Sequence, residues 1–233
     1  MKTTTSTTTT KVIYEDNNGS SHRFIWERVW DNTKPKVAIL MIFPSSTDPL
    51  KQDLTSILVI NNVSKLEGGK YGGVVVWNLF SKVNYNSNDT EPNLPANDTC
   101  IAESAKDPAV EKIIIAFGKG GESSKKILKR QMEVLQLLEP HKSKVVEILS
   151  PCGKTGFHPL TPAIKNHWEL VVFKFPDFKK IQKEQEAKDN NKKKKGKGNR
   201  KGNAADEAQP VTPTTPDPQA EAPPEDTPQE QTT

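Results

Sequence analysis

Cysteine is scarce in this 233-residue chain: there are two, Cys100 and Cys152. They are well separated and lack the spacing of a zinc site. Together with an N-terminus that has no apolar leader segment, they fit a reducing compartment, and the expected location is the cytoplasm. Long apolar runs are also missing. None approaches the roughly 18 residues of a membrane span, so no membrane association is expected.

Large apolar side chains are nearly absent from two regions. Residues 1–10 (MKTTTSTTTT) are almost pure Thr, and residues 179–233 have almost no large apolar side chain after Ile181. Such segments bury too little apolar surface to offset the entropy of ordering the chain. The expected organisation is a disordered N-terminus over 1–19, one α/β domain over 20–178, a basic linker over 179–201 and an acidic, Pro/Thr-rich disordered tail over 202–233. The net charge of +4 conceals the same blocks: +3 over 1–178, +8 over 179–201 and −7 over 202–233. The domain itself is nearly neutral.

What the chain does have is a set of short apolar runs, each ending in a polar loop. Val37–Ile42 runs without a polar break and then gives way to FPSSTDP. A short apolar run stopped by Pro reads as a strand buried on both faces. Apolar residues at 54, 57, 58, 60, 63 and 66 predict an amphipathic helix over 50–66, with Thr47, Asp48 or Asp53 available to cap it. Val74–Phe80, Ile113–Phe117 and Val145–Leu149 predict three further buried strands, and Leu170–Phe175 a closing one. Residues 100–110 and 124–138 predict helices, and 81–99 a loop of about twenty residues. Residues 11–30 read as one or two edge strands, with Trp26 and Trp30 in the core.

This alternation predicts a three-layer α/β sandwich with a mostly parallel central sheet of four or more strands. The C-terminal ends of its strands converge on one edge, where open α/β sheets place their ligand sites. That edge carries Phe43–Asp48, Asn78–Phe80, Phe117–Ser124 and Gly153–Leu160.

With these loops in view, the chain resembles a conserved bacterial and phage domain family of unknown function. The matching residues are Arg28 and Trp30; Pro44, Ser45, Thr47, Asp53 and Thr55; Tyr71, Gly72, Gly73, Asn78, Leu79 and Phe80; Asn97 and Asp98; Gly118; and Thr155, Gly156, His158, Pro159 and Leu160. The resemblance spans about residues 23–161. Phe43 stands where that family has Asn, and Phe117 where it has Trp. A bacterial or phage-infected cell is the setting it implies. By layout and motif order the four loops also look like the uracil-DNA glycosylase superfamily, which implies a base-flipping site and a nucleic-acid or nucleotide-like ligand.

On that resemblance Asn78 offers the paired donor and acceptor that read a base edge, and Phe43 or Phe80 stacks on the base. Asp48 or Asp53 orients the attacking water. His158 stabilises the leaving base. Pro44, Ser45 and Ser46, with the loop's N–H groups, and Gly118 and Lys119 line the substrate side. No metal or cofactor is called for. The alternative reading of the same residues is plain structure: Asn78 ending a strand, Asp48 and Asp53 capping a helix, Phe80 in the core, and Gly118 in a tight turn. His22, His141 and His167 read as surface or structural residues. The run Lys192, Lys193, Lys194, Lys195, Lys197, Arg200 and Lys201 suits sequence-independent binding of a polyanion. The rival to a glycosylase is a non-catalytic module that binds nucleic acid or protein. A third possibility is an enzyme acting on a small nucleotide-like metabolite.

Overall fold

The computed structural model describes residues 1–86, 89, 91–122 and 124–178. Seven strands form one sheet in the order β1-β2-β4-β3-β5-β6-β7. The strands are β1 (Thr9–Asn17), β2 (Ser20–Val29), β3 (Lys36–Met41), β4 (Gly73–Asn78), β5 (Val110–Ile115), β6 (Val145–Leu149) and β7 (Glu169–Val172). The middle four run parallel, as their largely apolar sequences predict. The outer pairings are antiparallel: β2 with β1 and with β4, and β7 with β6. The sheet is thus parallel only in its middle.

The folded part also begins earlier than composition suggests. Asn18 and Gly19, at φ +50° and +74°, close a two-residue turn that folds the Thr-rich start of β1 back along β2. Two successive positive φ values are what a twisted hairpin demands, and Asn-Gly is the pair that accepts them at least cost.

Three helices complete the layers: α1 (Leu54–Val63), α2 (Pro95–Lys106) and α3 (Lys125–Leu138). Alternate residues of each strand feed opposite faces. Val37, Ile39, Val74, Val76 and Ile114 pack with Val59 and Val63 of α1 and with Ile164 and Trp168. Ala38, Leu40, Val75, Trp77, Ile113 and Ile115 pack with Ile101 of α2 and Leu135 and Leu138 of α3. Trp26 lies in the first of these clusters, fully in the core as its strand context predicts. Phe173, Phe175 and Phe178 fold onto the α2/α3 side after β7. α2 starts at Pro95, several residues before the sequence pattern suggests, because a proline at the first helical position needs no N–H partner. The loop after β4 is correspondingly shorter. No helix among the described residues is long and apolar enough to cross a membrane.

Within the parallel core the order β4-β3-β5-β6 makes β3 and β5 the strands whose loops leave toward opposite faces. α1 follows β3 on one side and α3 follows β5 on the other. That divergence opens a crevice at the carboxyl ends of the strands.

Candidate functional site

The site begins with an irregularity in β2. The β1–β2 register pairs Ile13 with Ile25 but Tyr14 with Arg23, leaving Phe24 extra. This bulge keeps Phe24 and Ile25 on the same α2/α3 face. It thereby turns Arg23 to the α1 face, beside Trp26. Re-aiming a side chain is what bulges do.

Arg23 reaches under the loop after β3. Its Nη1 donates to the Ser46 carbonyl at 3.0 Å and its Nη2 to Asn78 Oδ1 at 2.8 Å. Burial pushes its pKa down to about 10, against the nearby Asp53 carboxylate, which raises it. Arginine has no acceptor, so this contact fixes which way the Asn78 amide points. Asn78 is 1% exposed. Its Nδ2 is left without a hydrogen-bond partner, as is Arg23 Nε.

Asp53 caps α1 by accepting from the Ser56 N–H at 2.7 Å. Burial favours its neutral form, but hydrogen bonds from Ser56 and Ser45 and the charge of Arg23 outweigh that and hold its pKa below the ordinary carboxylate value. Facing it is His158. Burial lowers the pKa of this ring, and Asp53 offsets part of the shift. The Leu160 N–H donates to His158 Nδ1 at 3.2 Å, so the neutral ring carries its proton on Nε2. Gly118, at φ +63° just after β5, backs His158. A Cβ there would lie 2.6 Å from the His158 Cβ.

Arg23, Phe43, Ser45, Asp53 and His158 together line a cavity of about 60 Å³. This volume admits a few waters and not a nucleobase. The Phe43 ring closes one side. It lies nearly parallel to Tyr85 and Phe80, with centroids 4.5 and 5.2 Å away. Lys126 Nζ sits 5.3 Å from the Tyr85 ring centre.

The loop after β4 is held from behind. Asn97 Nδ2 donates to the Asn78 carbonyl at 3.0 Å. Arg130 Nε donates to the Leu79 carbonyl at 2.7 Å, while its other nitrogens grip the Asp98 carboxylate.

Of the residues singled out from sequence, the structure brings Phe43, Ser45, Asp53 and His158 around one cavity, with Asn78 joined to it through Arg23. Pro44 is buried beside them, and the Ser46 carbonyl anchors the loop to Arg23. Phe80 is buried behind Phe43. Asp48 is exposed and accepts from the Leu50 N–H, a turn contact away from the cavity lining. Lys119 is exposed at the turn after Gly118. The basic run from Lys192 to Lys201 lies outside the described residues. His22 is buried against Ser81, a structural position. Among the described residues no three His, Cys, Asp or Glu side chains gather as a metal-ligand set. Arg23 is the residue that motif reading passes over. Its signal is a charge directly before the apolar Phe24–Trp26 run, though only the bulge reveals where it points.

A profile of the family described as Protein of unknown function (DUF1643) matches residues 23–160. No curated protein matches. Among solved structures, a crystal structure of a mutant of the esterase rPPE in complex with (S)-Ac-CPA aligns over 55% of this chain and 39% of its own length. The identity is 15% and the TM-score 0.31, too low to carry an argument.

Proposed function

The chain belongs to the DUF1643 family of proteins of unknown function, and we propose that its crevice binds a nucleotide unit, free or within a nucleic acid, and hydrolyses the bond between base and sugar. The observation that supports this most directly is the unpartnered Nδ2 of Asn78. A buried donor without an acceptor is costly, and a carbonyl on a base edge is the group that would satisfy it. The resemblance to glycosylases in loop order points the same way.

The residues then divide the work. Arg23 takes up Asn78 Oδ1, which leaves Nδ2 as the amide's unpartnered donor. Asp53, with its lowered pKa, is a poor proton acceptor. Its role is to orient a water and to stabilise positive charge developing on the sugar. The water oxygen bonds to the anomeric carbon as the carbon–nitrogen bond breaks, and its proton passes to solvent. The departing base leaves with the bonding pair, and the neutral His158 donates from Nε2–H to that developing anion. The cavity must widen to admit the base, and Phe43, stacked on Tyr85 and Phe80, is the wall that must move with them. The run Lys192–Lys201 adds a salt-dependent hold on a polyanion.

A second reading rests on Phe43. It stands where the resembling family has Asn and closes the cavity to about 60 Å³. This favours a module that retains the site as a binding surface without turnover.

Incubating the full chain with single- and double-stranded DNA carrying uracil or modified bases, and measuring free base by mass spectrometry, separates the two. Release abolished by Asn78→Ala and by His158→Ala supports hydrolysis. Binding without release from any substrate supports the module.

A further inference from the structure

Next to the cavity, and sharing Ser45 with it, lies a larger cleft of about 490 Å³. This is within the size range of small-molecule sites. Three turns form it: Gly19–Ser21 at the β1–β2 hairpin, Ser45–Thr47 with Lys51 after β3, and Lys82–Asn84 after β4. Its lining is mostly polar. Five hydroxyl side chains face it, together with the ammonium groups of Lys51 and Lys82, and no carboxylate does. The three carboxylates bonded to lining residues are already engaged, Asp53 with Ser45, Ser56 and the charge of Arg23. Asp16 accepts from Ser21 Oγ at 2.6 Å, and Asp89 accepts from Lys82 Nζ at 2.8 Å. Lys51 makes no ion pair among the described residues, so its charge is the uncompensated one.

Hydroxyl and ammonium donors around an open cleft, with no acid among its lining residues, are the chemistry that holds phosphate oxygens. We propose that this cleft is a phosphate subsite, taking the phosphate of the nucleotide whose base and sugar enter the neighbouring Asp53–His158 cavity. The inference rests on the reading of that cavity as nucleotide-directed, and Ser45 is the residue the two sites have in common. Lys82 is held in place by Asp89, and Lys51 supplies the charge that selects an anion.

The test uses the full chain, so that the basic run at 192–201 is present in every variant. Inorganic phosphate, deoxyuridine 5′-monophosphate and deoxyuridine are titrated separately while backbone amide shifts are followed by NMR. Phosphate and the monophosphate should give saturating shifts at residues 19–21, 47 and 82–84, and the nucleoside should give none there; Ser45 lines both sites and does not discriminate. Lys51→Glu, a change at an exposed position, should weaken phosphate about tenfold or more, the loss of a charge-assisted contact. Lys82→Gln should weaken it independently. Shifts confined to the basic run, or an affinity unchanged by Lys51→Glu, would overturn the subsite. Its failure is separable from failure of the glycosidic reading. If phosphate binds the cleft but no substrate yields free base, the subsite stands and hydrolysis falls. If base is released with a KM indifferent to Lys51→Glu, hydrolysis stands and the subsite falls.

Discussion

Arg23 Nη2 donates to Asn78 Oδ1 at 2.8 Å, between two side chains that are both buried. The contact orders the site, because a guanidinium can only donate and therefore dictates the amide's orientation. Arg23→Met removes it and leaves Asn78 Oδ1 and the Ser46 carbonyl without their donor. The expected loss is about 1–3 kcal/mol for stranding buried acceptors, read as a lower urea midpoint at unchanged m-value. Arg23→Lys should recover little, since a point charge cannot serve both acceptors in fork geometry.

Gly118→Ala places a methyl group 2.6 Å from the His158 Cβ and 3.0 Å from its backbone nitrogen, at a φ of +63°. The left-handed conformation costs about 1–2 kcal/mol for a residue with a Cβ, and the overlap adds a comparable amount. Because backbone is among the atoms met, His158 must shift. The variant should melt several degrees lower, and its His158 ring resonances should move while those of His141, which is remote in sequence, stay in place. Unmoved His158 resonances would mean that the turn can relax on its own.

How much of this was readable from sequence follows from how local each signal is. β3, β4 and β5 announce themselves because strands covered on both faces need no polar residue, and Val37–Met41 and Val74–Trp77 contain none. α3 shows its spacing, and Ser124 caps it as such residues do. The first turn of α2 hides, because PANDT reads as loop and the helix offers only Ile101 and Ala105 as buried apolar contacts. The convergence of Ser45, Asp53 and His158 was legible, since a parallel sheet delivers strand ends to one edge. Arg23 was not. Its facing depends on one extra residue, Phe24, in a register set by pairing with β1. A one-residue slip reverses every side chain beyond it, and nothing local to residues 22–26 encodes that slip.

One buried and one half-buried histidine make stability depend on pH in a stated direction. Burial lowers the pKa of His22 and of His158 below the ordinary value of 6.5. Below that value the unfolded chain binds protons that the folded one resists. Stability is therefore fully present above about pH 6.5 and is lost as pH falls through the folded-state values. Urea midpoints should decline from pH 7 to pH 5. His158→Gln should flatten the decline, and His22→Gln should flatten it further. A slope that neither substitution alters would place the titration on other groups.

Phe43→Asn puts into this chain the residue the resembling family carries. The ring's nearly parallel contacts with Tyr85 and Phe80 are lost. At about 0.5–1.5 kcal/mol per aromatic pair beyond area burial, the variant should be measurably less stable. It also opens the wall that limits the cavity. If ring closure is what withholds turnover, base release from uracil-containing DNA should rise in Phe43→Asn despite the lower stability. A fall in release that tracks the fall in stability would instead make Phe43 the stacking surface for the base.

Asp98→Asn tests the hold on the loop after β4. Arg130 is 7% exposed, and its guanidinium is paired with Asp98 while Nε carries the Leu79 carbonyl. Removing the carboxylate charge leaves a nearly buried cation with Glu133, at 3.4 Å, as its remaining ion pair. Because Asp98 is itself 41% exposed, water takes up part of the deficit. The expected loss is about 1–3 kcal/mol, below the 3–5 typical of a fully buried pair. Arg130→Met removes the cation together with its need for a partner, but strands the Leu79 carbonyl. The double variant should then cost less than the sum of the two single ones, because the cation that lost its Asp98 partner no longer exists in it. Additive losses would mean that Asp98 and Arg130 act on the loop separately. A double variant close to Arg130→Met alone would place the carboxylate's whole contribution in holding the guanidinium against Leu79, one residue from Asn78.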